Sequence, residues 1–144
     1  MEFCKNPANH PKIGDIYMMS FNGNGSEQHG YRPALVIQNN TGNAYSPNII
    51  VLPLTTSIKK LGQPTHVFIS ASDTGLLKDS IVLCENPECV SKTKLDRYIT
   101  SLPVNYMCKV AEAYLLATSV ISFMPPEIIS SVWEKATELN SVCV

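Results

Sequence analysis

No stretch of the 144 residues stays apolar for the roughly 20 positions a membrane-spanning helix needs, because Asn, Ser, Thr or Lys interrupts each candidate. A soluble protein is expected. Charge is also scarce: only 16% of residues are charged and the formal net charge is −1. That excludes a chain coated in positive charge, although it leaves a local basic groove open. The familiar catalytic signatures are missing as well, with no GxSxG elbow, no HExxH, no P-loop and no GxGxxG between a strand and a helix. The three histidines stand far apart at 10, 29 and 66. Any reaction carried out here must therefore need little equipment.

The five cysteines, at 4, 84, 89, 108 and 143, are odd in number, and no signal peptide precedes them. A disulfide framework is not expected, and a cytoplasmic location is. Cys84 and Cys89 lack the second pair or nearby histidine that a zinc site requires, so no metal and no cofactor is expected.

The hydrophobic content of 44% and the chain length suit one compact domain with a real core. After an irregular proline-bearing lead, GDIYMMSF (14–21) reads as a strand apolar on much of both faces. NGNGSEQHG (22–30) is a glycine-rich loop, and YRPALVIQN (31–39) a second strand entered through Pro33. NTGNAYSPN reads as a turn. NIIVLPLTTS (48–57) is a third strand, aliphatic until it opens into three hydroxyl residues. PTHVFIS (64–70), DSIVLCE (79–85) and RYITSL (97–102) are shorter strands. Short strands with frequent turns imply a small, highly curved barrel or sandwich.

Residues 104–123 then form a long amphipathic helix, with Met107, Val110, Ala111, Tyr114, Leu115, Thr118, Ile121 and Ser122 on one stripe. Beyond Pro125-Pro126 a second helix places Ile128, Ile129, Val132, Trp133, Ala136 and Leu139 on one side, a stripe that needs something to cover. The tail is also the acidic part, with one Lys against three Glu in the last 21 residues.

RNA cleavage by internal attack fits so sparse an inventory. The substrate's own 2′-hydroxyl is the nucleophile, so the protein needs only to position it, accept a proton and stabilise an anionic phosphate. Arg32 offers a planar fork of donors matched to phosphate oxygens, and a hydroxyl such as Thr55 can donate to the same group. Taken singly, these residues have plainer readings. On its own Arg32 reads as an ion pair with Glu27, and Thr55, Thr56 and Ser57 as a solvated strand end bonding turn backbone.

The combination is more specific. GDIY, GSEQHGYRPALVIQN, SPNIIVLPLTTSI, PTHV and DSIVLCE, followed by a strand and an amphipathic helix, closely resemble, in that order, the MazF/PemK/Kid family of toxin endoribonucleases. The match covers roughly residues 13–123, leaving an irregular lead at 1–12 and a helical extension at 124–144. The resemblance implies an α+β, mainly β fold: a small SH3-like β-barrel with a long C-terminal helix, here with a short helix appended. It implies a cytoplasmic homodimer, a cognate antitoxin as partner, and single-stranded mRNA as substrate. Cleavage would be sequence-specific and metal-independent, leaving a 5′-hydroxyl and a 2′,3′-cyclic or 3′ phosphate.

By the same resemblance Arg32 and Thr55 are catalytic. Arg32 stabilises the phosphate, and Glu27 orients it or acts as the base. Glu27, Gln28 and His29 lie in a loop that contacts RNA, where His29 reads equally as a base-stacking group or an exposed loop residue. Thr56 and Ser57 are supporting RNA contacts. A competing reading is a CcdB-like toxin that binds DNA gyrase, and a weaker one is an inactive family member that binds only an antitoxin. The GSExxGxRP loop with Arg32 and Thr55 distinguishes the ribonuclease, because a gyrase poison has no use for it.

Overall fold

The computed structural model describes residues 10–23, 29–57 and 62–141. Its framework is β1 (Asp15–Asn22), β2 (His29–Val36), α1 (Asn40–Tyr45), β3 (Asn48–Thr55), β4 (His66–Ile69), α2 (Ala71–Thr74), β5 (Ser80–Leu83), β6 (Glu88–Ser91), β7 (Tyr98–Ser101), α3 (Val104–Thr118) and α4 (Ile129–Asn140). Short 3-10 turns follow β6 and α3 and precede α4.

The strands form one antiparallel sheet in the order β4-β5-β3-β2-β1-β7, with β6 also on β3. β3 organises it. One edge of β3 pairs with β2; the other serves β6 along Asn48–Val51 and then β5 at Leu54 and Thr55. Pro53, which has no N–H to donate, lies between those two ladders, where the edge changes partner. Among the described residues the sheet does not close, so the expected barrel is an open antiparallel sheet.

Alternation along the strands splits the core in two. Ile16, Leu35, Leu52 and Leu54 join Val67 and Ile69 of β4 and Tyr106, Val110 and Ala113 of α3 in one cluster. Met19, Ala34, Val36, Ile49 and Val51 form another on the opposite face, covered by Val90 and Leu95. β3 is buried on both faces from Val51 to Leu54, and β1 is covered on both only over its first half, before Ser20 and Asn22 reach solvent.

The helices depart from the sequence reading in three ways. Of the expected α3 stripe, Met107, Val110 and Tyr114 do pack on the core, beside Tyr106 and Ala113, while Ala111, Leu115 and Thr118 are exposed. α3 also stops at Thr118, because Ser119 takes a left-handed φ of 55° and its N–H closes on the Leu115 carbonyl at 2.9 Å. α4 buries no residue, and Trp133 of its apolar stripe is 69% exposed. Polar bonds hold its end instead: the Asn40 amide donates to Asn140 Oδ1 (3.0 Å), Asn40 Nδ2 to the Asn140 carbonyl (3.2 Å), and Thr41 Oγ1 to the Leu139 carbonyl (2.8 Å). α1, read as a turn in the sequence, is the element they hold, and Asn39 caps it by accepting from the Gly42 amide at 2.9 Å. No helix among the described residues is long and apolar enough to cross a membrane.

Candidate active site

β1 and β2 pair without a slip from Ile16↔Leu35 to Asn22↔His29. Glu27 and Gln28 lie outside the described residues. His29 is exposed and opens β2. Arg32 stands opposite Met19 and is half-buried. Its Nε donates to the His29 carbonyl at 3.0 Å, so the loop end supplies a backbone acceptor to the guanidinium. Pro33 follows directly and holds the Arg32 backbone in the extended region. Tyr31 points to the other face, where its hydroxyl donates to Asp96 Oδ2 at 2.6 Å, a bond that raises the phenol's pKa.

The β2–β3 ladder runs Val36↔Val51, Leu35↔Leu52, Ala34↔Pro53 and then ends. Arg32 and Thr55 each lie two residues beyond the last pair, Ala34↔Pro53, and by alternation each keeps the face of its own member of that pair. Pro33, which has no N–H to donate, stands just beyond the last pair, while Leu54 and Thr55 pair on their other edge with Val82 and Ile81. The two strand ends thus part where their arginine and threonine stand.

Thr55 Oγ1 accepts from the Ser57 amide at 3.2 Å. A hydroxyl that accepts this way keeps its own proton to donate. Thr56 and Ser57 are exposed. Thr56 lines a hollow of about 510 Å³ with Met18, Pro33 and Leu76, on the face of the sheet opposite Arg32 by alternation, and the exposed Lys78 and Arg97 stand at it. Sequence reading did not single out these two cations. Nothing local marks them, and only the placement of β7 beside β1 brings Arg97 here.

Other polar residues belong elsewhere. His66 Nε2 lies 2.6 Å from Glu85 Oε1, toward the end of β5 away from Thr55. Gln38 spans from Asn43 Oδ1 (3.3 Å) to the Asn48 carbonyl (3.0 Å) and holds α1 against β3.

Residues 12–117 match the family model of the PemK-like, MazF-like toxin of type II toxin-antitoxin systems. The chain belongs to that family. It is 42% identical over 113 residues to the endoribonuclease EndoA of Bacillus subtilis, covering 78% of this chain and 97% of that one. It is 39% identical to the endoribonuclease MazF of Staphylococcus epidermidis, over 76% and 92% of the two chains. Among solved structures, a mycobacterial endoribonuclease in complex with its cognate antitoxin superposes with a TM-score of 0.65 at 25% identity, over 76% of this chain and 95% of the other. MazF from Deinococcus radiodurans shares the fold with a TM-score of 0.67 at 22% identity, over 76% and 97%. The span matched to the PemK/MazF toxins carries all seven strands and both Arg32 and Thr55, while α4 lies beyond it.

Proposed function

We propose that this PemK/MazF-family toxin is a sequence-specific endoribonuclease that cleaves single-stranded mRNA, with Arg32 and Thr55 as its catalytic residues. The observation that supports the reading is the end of the β2–β3 ladder at Ala34↔Pro53, with Arg32 two residues beyond it on one strand and Thr55 two residues beyond it on the other. The endoribonuclease relatives support the activity, and the mycobacterial complex supports a cognate antitoxin as partner.

In the proposed reaction the substrate's 2′-oxygen attacks the adjacent phosphorus. The 2′-O–P bond forms, the P–O5′ bond breaks, and the products are a 2′,3′-cyclic phosphate and a 5′-hydroxyl. The proton lost by the 2′-hydroxyl must leave, and the departing 5′-oxygen must gain one. Arg32 presents guanidinium donors to the equatorial phosphate oxygens, where negative charge grows, and the Thr55 hydroxyl donates to the same group. Arginine is too weak an acid to serve readily as the base, so its role is charge stabilisation. Glu27 orients Arg32, while Gln28, His29, Thr56 and Ser57 contact the RNA on either side. No metal or cofactor takes part, and the working unit is a cytoplasmic homodimer.

The test is incubation of purified, antitoxin-free protein with a long single-stranded RNA in excess chelator, with the fragment ends mapped. Discrete cuts bearing 5′-hydroxyl ends are expected. Intact RNA from a folded protein would overturn the reading in favour of a protein-binding toxin, with gyrase the next target to assay.

A further inference from the structure

Gly30 has a φ of +88°, a conformation that side-chain-bearing residues rarely adopt. Two ordinary reasons for such a glycine do not apply. A Cβ built there meets nothing within 4 Å among the described residues, so no close approach by them demands its absence. The β1–β2 pairing also continues in step through Phe21↔Gly30 and Asn22↔His29, so no inserted residue is being absorbed. What the φ of residue 30 does set is the orientation of the peptide joining 29 to 30, and hence the direction of the His29 carbonyl. That carbonyl accepts the Arg32 Nε–H at 3.0 Å.

We propose that Gly30 is a positioning residue for Arg32, its left-handed backbone turning the His29 carbonyl onto Nε and so fixing the plane of the guanidinium. Pro33 constrains the arginine's backbone and the carbonyl holds its head group. A planar fork fixed in this way meets phosphate oxygens along a set direction, without having to be ordered as the reaction proceeds. The inference rests on the reading of Arg32 as the phosphate-stabilising group. It gives the glycine of the GxRP sequence a task in catalysis rather than in packing.

Gly62 supplies a matched control, since its φ is also +88° and a Cβ there also meets nothing within 4 Å among the described residues. The experiment compares single-turnover RNA cleavage by Gly30→Ala, Gly30→Asn, Gly62→Ala and Arg32→Ala, with thermal melts to match the folded fractions. Gly30→Ala is expected to lower kcat by about 10²-fold with little change in KM, the scale of a misplaced catalytic group. Gly62→Ala is expected to leave the rate unchanged. Gly30→Asn is expected to recover most of the loss, because asparagine tolerates the left-handed region. In an Arg32→Lys background, which has no Nε to receive, adding Gly30→Ala is expected to cost nothing further.

Full activity of Gly30→Ala beside an inactive Arg32→Ala would overturn the inference while leaving the catalytic role of Arg32 intact. An equal loss from Gly62→Ala would also overturn it, since the effect would then be strain alone. Undiminished cleavage by Arg32→Ala would instead remove the reading on which the inference stands.

Discussion

The imidazole Nε2 of His66 lies 2.6 Å from Oε1 of Glu85, tying the start of β4 to the residues beyond β5. Thr65 Oγ1 donates to the same carboxylate at 3.0 Å. Burial by itself raises the Glu85 pKa, but the hydrogen bonds from His66, its own backbone amide and Thr65 outweigh it and leave the value below the ordinary 4.5. A depressed folded pKa contributes stability that is present above the unfolded value and lost as pH falls through the folded one. Acid denaturation should therefore steepen below about pH 4.5 in the wild type, and Glu85→Gln should flatten that region. Denaturant melts across pH 3–6 check this; identical profiles would contradict it.

Asn140 fixes the end of α4 through the Asn40 amide and side chain, and none of the helix's apolar residues is buried. Asn140→Ala removes the side-chain acceptor from a part-buried backbone amide, a loss of about 1–2 kcal/mol for the contact. Because α4 does not contribute to the core, the melting temperature of the sheet should shift by only a few degrees, while hydrogen exchange in α1 and α4 should rise. Cleavage should be unchanged. A collapse in thermal stability would show that the stripe packs on the core after all.

Cys84 is buried, and burial, with the nearby Glu85 charge second, pushes its thiol up to about 12. Cys89 and Cys108 are exposed. Brief alkylation of the native protein at pH 7.5, read by peptide mass spectrometry, should mark Cys89 and Cys108 and spare Cys84 until denaturant is added. Labelling of Cys84 at a comparable rate would contradict the described core.

With a formal net charge of only −1, the proposed RNA binding would draw on local cations, Arg32 on one face of the sheet and Lys78 and Arg97 at the hollow on the other. Cleavage at subsaturating RNA should fall steeply as salt rises, and Lys78→Ala with Arg97→Ala should reduce the slope. A salt-independent rate would remove these residues from the interface.

How much of this was legible in the sequence depends on where the signal lies. β3 and the first half of β1 were readable because a strand covered on both faces leaves a continuous apolar run. α1 was hidden: NTGNAY carries glycine and asparagine that read as turn residues, and what holds the helix is the Asn39 cap together with bonds from a segment about a hundred positions away. β6 is four residues long and exists only as a partner for the first half of β3. The α3 stripe is legible in Met107, Val110 and Tyr114, but its apolar residues are spread around the helix, and only the sheet adds Tyr106 and Ala113 and leaves Ala111 and Leu115 out. At the site the residue types suggested the chemistry, but relating Arg32 to Thr55 required the register. The bond from Arg32 to the His29 carbonyl could not have been read at all, since a backbone acceptor leaves no mark on residue identity.

The most direct measurement is single-turnover cleavage of one defined RNA by the wild type, Arg32→Ala, Thr55→Ala and Thr55→Ser at matched folded fractions. The account predicts that each alanine lowers the rate by about 10²–10³-fold, the cost of removing one preorganised donor from a developing anion, and that Thr55→Ser retains much of the activity. Wild-type rates in both alanine variants would contradict it.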